Sequence, residues 1–228
     1  GDYIDSTTGV FDKQYFDNWI GEKLKKKTEF HLLAVEAYML KQVNKVYGSS
    51  VGDQLLAQIA KELQSITDSV EIFRITGNCF LMVTDSLAEY EKNKKEMEQI
   101  FRKPFVVNGE TIDFPAIICG ILNGEKMEQK DVLLAYIDYL ASLVKHTDET
   151  VVIQSDERIL EGFRYEKEVE KFLKTAVDED LFEVYYQPVY WLKEDRYITL
   201  EALSRLRHPS MGMIPPDVFI GIAEKQGM

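Results

Sequence analysis

Two short apolar runs, residues 72–75 and 79–83, flank the polar segment 76–78 and predict a β-hairpin. Both runs are almost continuously apolar, which is typical of central strands that helices cover on both faces. The connection contains Gly77 and Asn78, residue types that adopt the positive φ angles of tight hairpin turns. We therefore expect a central hairpin whose turn presents polar groups at an exposed end of the sheet.

Around this hairpin, segments with apolar residues every three or four positions predict helices, and shorter apolar runs predict strands. Before it, the pattern predicts a helix over 10–27, a strand over 29–39, a helix over 39–46 and a longer helix capped by Ser50. After it, the pattern predicts a helix over 87–101, a strand over 111–122, a helix over 128–145 and a strand over 150–153. This order predicts an α/β (α+β) sandwich of the ferredoxin-like type, with a mixed, mainly antiparallel central sheet.

The sequence pattern changes after residue 154. A charged amphipathic helix over 155–177 is followed by two predicted strands, 182–189 and 196–203, and by a helix over 215–225. We therefore predict a first domain over 1–154, a connector helix over 155–178 and the start of another domain over 179–228.

Composition limits the classes of partner and the cellular location. A formal net charge of −12 argues against nucleic acid or an anionic membrane as the main partner. The two cysteines, Cys79 and Cys119, lie in apolar runs and are expected to be buried, reduced thiols. No apolar run reaches 18 residues, so this segment is predicted to be soluble and cytoplasmic, in a parent protein that is membrane-anchored upstream or not anchored.

Four short motifs follow one another in the C-terminal part of the sequence. They are Y-Y-Q-P at 185–188, E-A-L-S-R at 201–205, R-H-P at 207–209 and P-P-D-V-F-I-G-I-A-E at 215–224. Together they resemble the start of the EAL domain, the cyclic di-GMP phosphodiesterase family. The resemblance implies a TIM-like barrel, which needs about 250 residues, so only its first two strands and one helix are expected here.

By this resemblance, Glu201 is a metal ligand, Arg205 a phosphate contact and Gln187 a residue near the substrate. A carboxylate at a strand end suits a hard Mg²⁺ or Mn²⁺ ion, which activates water for attack on a phosphodiester. One carboxylate does not make a metal site, and the family's other ligands are expected beyond residue 228. Mg or Mn is therefore expected only in a complete EAL domain, and this fragment alone is expected to hold no cofactor and to hydrolyse nothing.

The preceding segment resembles a GGDEF domain, the diguanylate cyclase family. D-S-T-T-G at residues 5–9 is similar to the family's opening D-x-L-T-G motif. Lys41, Asn44, the Tyr47-Gly48 pair and the Gly52-Asp53 pair match its F-K-x-I-N…G…G-D run, although Leu40 replaces the phenylalanine. The resemblance implies that Asn44 and Asp53 contact a guanine base and that Lys41 contacts a phosphate.

The signature motif itself is degenerate. Its place is taken by Thr76, Gly77, Asn78, Cys79 and Phe80. Both acidic positions are therefore gone, although condensing two GTP molecules needs carboxylates that hold metal ions. A neutral amide and a thiol cannot supply that charge to Mg²⁺, so cyclase activity is not expected.

Other family positions are altered as well. Glu36 stands where the metal-binding aspartate is expected, and Tyr38 replaces the second aspartate. Lys145 matches the family's triphosphate lysine, but Glu149 stands where its partner arginine is expected. The inhibitory R-x-x-D product site falls on residues 67–70, whose ends are an uncharged threonine and valine.

Three hypotheses for the function follow. The first is a non-catalytic regulatory module whose parent is a cyclic di-GMP phosphodiesterase or a receptor for that nucleotide. The second is a GTP-binding allosteric domain that uses Asn44, Asp53 and Lys41. The third is a protein–protein interaction module with a vestigial nucleotide pocket, which the acidic Glu149 favours over the second. A homodimer is a further expectation, because two strands of an incomplete barrel leave an edge that pairs with another chain.

Overall fold

The computed structural model describes residues 3–68, 71–179, 182–191 and 196–227, with side chains for all of these except 177, 179, 182–191 and 196–205. The chain divides into two compact units, Gly1–Asp156 and Glu157–Met228. The helices of unit 1 are α1 (Lys13–Lys25), α2 (Leu40–Tyr47), α3 (Ser49–Ile66), α4 (Leu87–Arg102) and α5 (Lys130–Ser142). Its strands are β1 (His31–Glu36), β2 (Glu71–Thr76), β3 (Cys79–Thr84), β4 (Phe105–Val107), β5 (Glu110–Ile112), β6 (Ile117–Ile121) and β7 (Val151–Gln154).

The central sheet of unit 1 has the order β2-β3-β1-β6-β7. Strands β2, β3, β1 and β6 pair antiparallel, and β7 joins β6 in parallel. This confirms the predicted sandwich with a mixed, mainly antiparallel sheet. Strands β4 and β5 form a separate two-stranded ribbon that the sequence analysis missed, since it predicted one strand over 111–122.

Helices cover both faces of this sheet because side chains alternate along each strand. On one face, Val35, Phe80 and Met82 belong to a core shared with α2, α3 and α4. On the other face, Phe73 contacts Phe16 and Trp19 of α1 with ring centroids 5.1 and 5.0 Å apart. By the same alternation, Glu36 and Cys79 lie on the second face, toward α1 and α5.

The predicted hairpin is present, but two details of the prediction were wrong. Strand β3 is buried along its whole length, whereas β2 is the outer strand of the described sheet. The backbone of Phe11 partly covers β2, since its N–H donates to the Ile72 carbonyl and its carbonyl accepts from the Arg74 N–H. Neither Gly77 nor Asn78 has a positive φ, so turn sterics do not explain their presence.

The cap predicted for α3 was also wrong. The helix begins at Ser49, one residue before the predicted Ser50 cap, and no side chain caps it. Gly48 connects α2 to α3 with a φ of 92°, a conformation that glycine adopts without strain. Its N–H donates to the Asn44 carbonyl at 2.9 Å and so ends α2.

Unit 2 contains α6 (Glu157–Glu179), β8 (Phe182–Trp191), β9 (Arg196–His208), β10 (Gly212–Ile214) and α7 (Pro216–Lys225). The strands form an antiparallel sheet in the order β10-β9-β8. Apolar side chains of α6, such as Val169 and Leu173, pack in one cluster with Leu206, Ile214 and Phe219. Self-association through the strands over 182–203 stays a prediction, because their side chains lie outside the described residues.

Candidate functional site

The candidate site of unit 1 lies at the end of the sheet where β1 ends and the β2–β3 turn projects. Glu36, the last residue of β1, pairs across the ladder with Cys79, the first residue of β3. The next backbone N–H, of Ala37, donates to the carbonyl of Asn78 at 2.7 Å. Because α2 begins at Leu40, the strand end, the turn and the start of α2 all lie at one edge.

The residues at the signature positions form this turn and the start of β3. Thr76 Oγ1 donates to Asn78 Oδ1 at 3.0 Å, which fixes the amide within the turn. Cys79 and Phe80 are both buried, in adjacent positions of β3 and therefore on opposite faces of the sheet. The polar groups that the turn presents are thus an amide and a hydroxyl.

The turn is held by Arg74, a residue that sequence reasoning did not identify. Its guanidinium donates to the carbonyl of Gly77 through Nε at 3.3 Å and Nη2 at 2.8 Å. Nη1 also donates to Asp5 Oδ2 at 3.1 Å, and that oxygen accepts from the N–H and hydroxyl of Thr8. Burial opposes the charge on Asp5, but these hydrogen bonds and the Arg74 charge hold its pKa below the ordinary value. The D-S-T-T-G motif therefore braces the turn.

Glu36 lies in an environment unlike that of a metal-binding carboxylate. Burial is the main cause that raises its pKa to about 7, the charge of Asp138 on α5 adds to it, and a hydrogen bond with the Cys79 thiol opposes it. The Cys79 side chain is 3% exposed, and burial followed by the Glu36 charge raises the pKa of the thiol well above its ordinary value. At neutral pH the thiol is therefore protonated and donates to Glu36. Asp138 was missed by sequence reasoning because it follows Glu36 by about a hundred residues.

This donor set does not suit Mg²⁺, which requires several hard oxygen ligands in octahedral geometry. The turn supplies an amide and a protonated thiol beside one carboxylate of raised pKa. Among the residues with described side chains, no group of three or more His, Cys, Asp or Glu is arranged to hold a metal ion. The side chains at this edge therefore do not fit a Mg²⁺ ion.

The residues predicted to contact guanine lie at the corner between α2 and α3. Lys41 and Asn44 are three residues apart on α2 and so share a face, and Asp53 is exposed in the first turns of α3. The side chain of Asn44 lies against Gly52, where a Cβ would collide with its Oδ1 atom. This Oδ1 atom is buried and has no hydrogen-bond partner. The corner thus holds an acceptor without a donor, beside an exposed carboxylate and an exposed ammonium.

Tyr38 connects this edge to the loop between α5 and β7. Its hydroxyl donates to the carbonyl of Thr147 at 2.6 Å, and its ring stacks on His146 with centroids 4.2 Å apart and planes 14° apart. Lys145 and Glu149 are both exposed on the same loop. Sequence reasoning treated Tyr38 only as a missing aspartate and found no signal for this contact, which spans 109 positions.

The expected product site is placed by the structure only at its first residue. Thr67 lines an open cavity of about 270 Å³ with Gln64 and Asp68. The valine at the other end of the predicted motif, residue 70, lies outside the described residues.

The predicted EAL residues are placed only by their backbones. Gln187 of β8 and Glu201 of β9 are direct partners in the antiparallel ladder, and Arg205 pairs with Glu183. Their side chains lie outside the described residues, so the predicted roles of Gln187, Glu201 and Arg205 stay predictions. In the described part of the chain no helix is both long enough and apolar enough to cross a bilayer.

Comparison with protein families decides what this fold is. The family model for "Diguanylate cyclase, GGDEF domain" matches residues 2–150, well over half of the chain. This chain belongs to the GGDEF family. A second model, for the EAL domain, matches residues 170–228, so the GGDEF domain continues into part of an EAL domain. Both resemblances drawn from the sequence motifs are confirmed.

Curated relatives align with almost the whole chain. The chain is 27% identical over 231 residues to the cyclic di-GMP phosphodiesterase NbdA of Pseudomonas aeruginosa, covering 98% of the chain and 30% of NbdA. It is 28% identical over 246 residues to the signaling protein YkoW of Bacillus subtilis, covering 99% of the chain and 29% of YkoW. The chain thus spans about 30% of the length of these relatives.

Solved structures are similar in fold at low sequence identity. The S helix–GGDEF–EAL part of Vibrio cholerae LapD, bound to cyclic di-GMP, is similar with a TM-score of 0.57 at 15% identity, over 98% of this chain and 53% of that one. The GGDEF domain of FimX from Pseudomonas aeruginosa gives a TM-score of 0.59 at 13% identity, over 68% of this chain and all of that domain, 100%. At such identities the likeness shows the fold alone.

Proposed function

We propose that unit 1 is a GGDEF domain without cyclase activity that regulates the EAL domain following it in a cyclic di-GMP signalling protein. The full-length parent is then a cyclic di-GMP phosphodiesterase or a receptor for that nucleotide. The relative NbdA, named as such a phosphodiesterase and matched over 98% of this chain, supports the signalling context. We propose the domain boundaries 1–154, 155–178 and 179–228 for this arrangement.

The observation that carries the proposal is the pairing of Glu36 with Cys79. Forming a phosphodiester from two GTP molecules requires metal ions and an activated 3′-hydroxyl. A protonated thiol is neither a ligand for Mg²⁺ nor a general base at neutral pH. Tyr38 and Asn78 likewise contribute no charge, so the edge lacks the groups that the cyclase reaction needs.

A second candidate function, binding of a guanine nucleotide, is favoured by the α2–α3 corner. Leaving a buried carbonyl oxygen without a donor costs about 1–3 kcal/mol, and a ligand donor recovers that cost. The Asn44 Oδ1 atom is such an acceptor, and the edge of guanine offers N–H donors to it and to Asp53. This observation favours the nucleotide-binding hypothesis over the hypothesis of a vestigial pocket.

Calorimetric titration with GTP, with and without Mg²⁺, tests the proposal. We expect no cyclic di-GMP to form in either condition, because the donor set at the turn does not suit the metal. Binding heat with Mg²⁺ that is followed by formation of cyclic di-GMP would contradict the proposal, since product formation would require a working metal site. No binding by any guanine compound would leave protein–protein contact as the regulatory mode.

A further inference from the structure

The Tyr38 bridge lies two residues before the start of α2, the helix that carries Lys41 and Asn44. The segment that joins β1 to α2 and the α5–β7 loop are linked by two contacts of one side chain. These are the Tyr38–Thr147 hydrogen bond at 2.6 Å and the parallel stack on His146. Burial raises the pKa of Tyr38, so the phenol stays protonated at neutral pH and keeps its donor.

The bridge stands next to the point where phosphates would extend. Lys41 is the second residue of α2, three positions after Tyr38, and its exposed ammonium has no hydrogen-bond or ion-pair partner among the described residues. A first phosphate bound by Lys41 would therefore lie beside the bridge. A longer phosphate chain directed toward the end of the sheet would meet the stacked rings.

Charge beyond the bridge opposes a longer phosphate chain as well. Asp138 is close enough to Glu36 for its charge to affect that carboxyl, and Asp148 is close enough to affect the Tyr38 hydroxyl. Glu149 is exposed on the same loop, and Lys145 is the one cation described in residues 145–149. This surplus of carboxylates repels a triphosphate, which carries more negative charge, more than it repels a single phosphate.

We propose that the site selects a guanine nucleoside with one phosphate per guanine over GTP, and that Tyr38, stacked on His146, is the residue that sets this preference. The inference rests on the guanine site proposed above. GMP and each half of cyclic di-GMP share this chemistry, since each offers a guanosine with a single phosphate that Lys41 can contact.

The test is a set of calorimetric titrations of the whole chain with guanosine, GMP, cyclic di-GMP, and GTP with and without Mg²⁺. We expect GMP or cyclic di-GMP to bind at least about tenfold more tightly than GTP in either condition. The comparison of GMP with cyclic di-GMP identifies the free or the cyclic nucleotide as the source, and either source supports the proposal. Guanosine is expected to bind more weakly than GMP, because it offers Lys41 no phosphate.

Variants test whether the Tyr38 bridge causes the preference for one phosphate per guanine over GTP. Tyr38→Ala should raise the affinity for GTP by about three- to tenfold and change that for GMP less than about twofold. Tyr38→Phe keeps the stack and should retain most of the preference, whereas Tyr165→Ala, an exposed tyrosine of unit 2, should change nothing. If Tyr38→Ala does not fold, His146→Ala removes the stack from its exposed side and should act in the same direction.

Three results distinguish failure of this inference from failure of the guanine site. GTP that binds the wild-type chain as tightly as GMP would overturn the selectivity, while the guanine site would stand. An unchanged GTP affinity in both Tyr38→Ala and His146→Ala would overturn the role of the bridge. Absence of binding by guanosine, GMP, cyclic di-GMP and GTP alike would overturn the guanine site and with it this inference.

Discussion

Cys79 lies directly across from Glu36 where β3 meets β1, and its buried thiol donates a hydrogen bond to the Glu36 carboxylate. Cys79 stands at a signature position where the GGDEF pattern has an acidic residue. In place of two acidic side chains that hold a metal ion, this pair has a neutral thiol as donor and one carboxylate as acceptor. Such a pair is stable without a metal ion, whereas two buried carboxylates at this distance would repel each other.

Glu36 should make the stability of unit 1 depend on pH. Its pKa in the folded protein is about 7 against an ordinary value of 4.5, so the unfolded chain loses the proton first. The free energy of unfolding should therefore fall as the pH rises from about 4.5 to 7. At pH 8 we expect the free energy of unfolding of Glu36→Gln, measured with urea, to exceed that of wild type by about 1–2 kcal/mol. The effect is kept to this size because the side chain is partly exposed and solvent screens its charge.

The same measurement at pH 4 and on a control variant makes the Glu36 prediction specific. At pH 4 both wild type and Glu36→Gln carry a neutral group there, so the difference should largely vanish. Glu110→Gln removes an exposed carboxylate of β5 and should follow the wild-type pH profile. A parallel profile for wild type and Glu36→Gln across this range would show that Glu36 ionises normally.

Gly120 of β6 is required by a close approach. A Cβ there would collide with the hydroxyl of Tyr90 and lie 2.6 Å from Gln154 Oε1, two groups that share a 2.7 Å hydrogen bond. Gly120→Ala should therefore lower the free energy of unfolding by about 1–3 kcal/mol. Gly21→Ala, in α1 where an added Cβ would meet nothing within 4 Å apart from its chain neighbours and its own helix backbone, should leave stability unchanged or raise it by up to about 1 kcal/mol. Equal effects of the two changes in urea unfolding would contradict the packing argument.

Guanine binding should depend on the α2–α3 corner. Asn44→Ala and Asp53→Ala each remove a group that accepts from the base, and each should weaken GMP binding by about 1–3 kcal/mol in calorimetry. Gln54→Ala changes the exposed neighbour on α3 and serves as the matched control. Binding that survives the combined Asn44→Ala and Asp53→Ala change would place the nucleotide elsewhere.

Restoring the acidic signature should not restore catalysis. Asn78→Asp combined with Cys79→Glu supplies two carboxylates at the turn, but the Tyr38–His146 stack and the exposed Glu149 remain. Cys79 is also buried against Glu36, so a glutamate in its place adds a second buried carboxylate without a cation. We expect no cyclic di-GMP from this variant and a lower melting temperature than wild type. Turnover by the double variant would show that the signature positions alone had been limiting.

Local sequence patterns were sufficient to predict most of the fold. The two apolar runs within residues 72–83 predicted the hairpin, because continuous apolar strands flanking a short polar turn have few other solutions. The order of helices and strands predicted the mixed sheet, because strands separated by helices, with one hairpin among them, indicate a sheet of that kind. The position of β2 at the outer side was missed, since it depends on which strand pairs with β1. The short β4–β5 ribbon was also missed, because the pattern predicted a single strand over 111–122.

The candidate site was less predictable, because its decisive contacts join distant parts of the chain. The missing carboxylates at Asn78 and Cys79 were evident from the sequence alone. The Tyr38–Thr147 bond and the effect of Asp138 on Glu36 depend on how α5 and its following loop pack against β1. No spacing rule relates residues about a hundred positions apart, so only the folded arrangement of these elements reveals them.

The central claim is that unit 1 lacks diguanylate cyclase activity. The most direct measurement is incubation of the wild-type chain with GTP and either Mg²⁺ or Mn²⁺, followed by chromatographic detection of cyclic di-GMP. A diguanylate cyclase that keeps both acidic signature residues serves as the positive control in the same buffer. The Glu36–Cys79 pairing predicts no product above a blank without protein. Cyclic di-GMP that accumulates with time and with protein concentration would contradict the account.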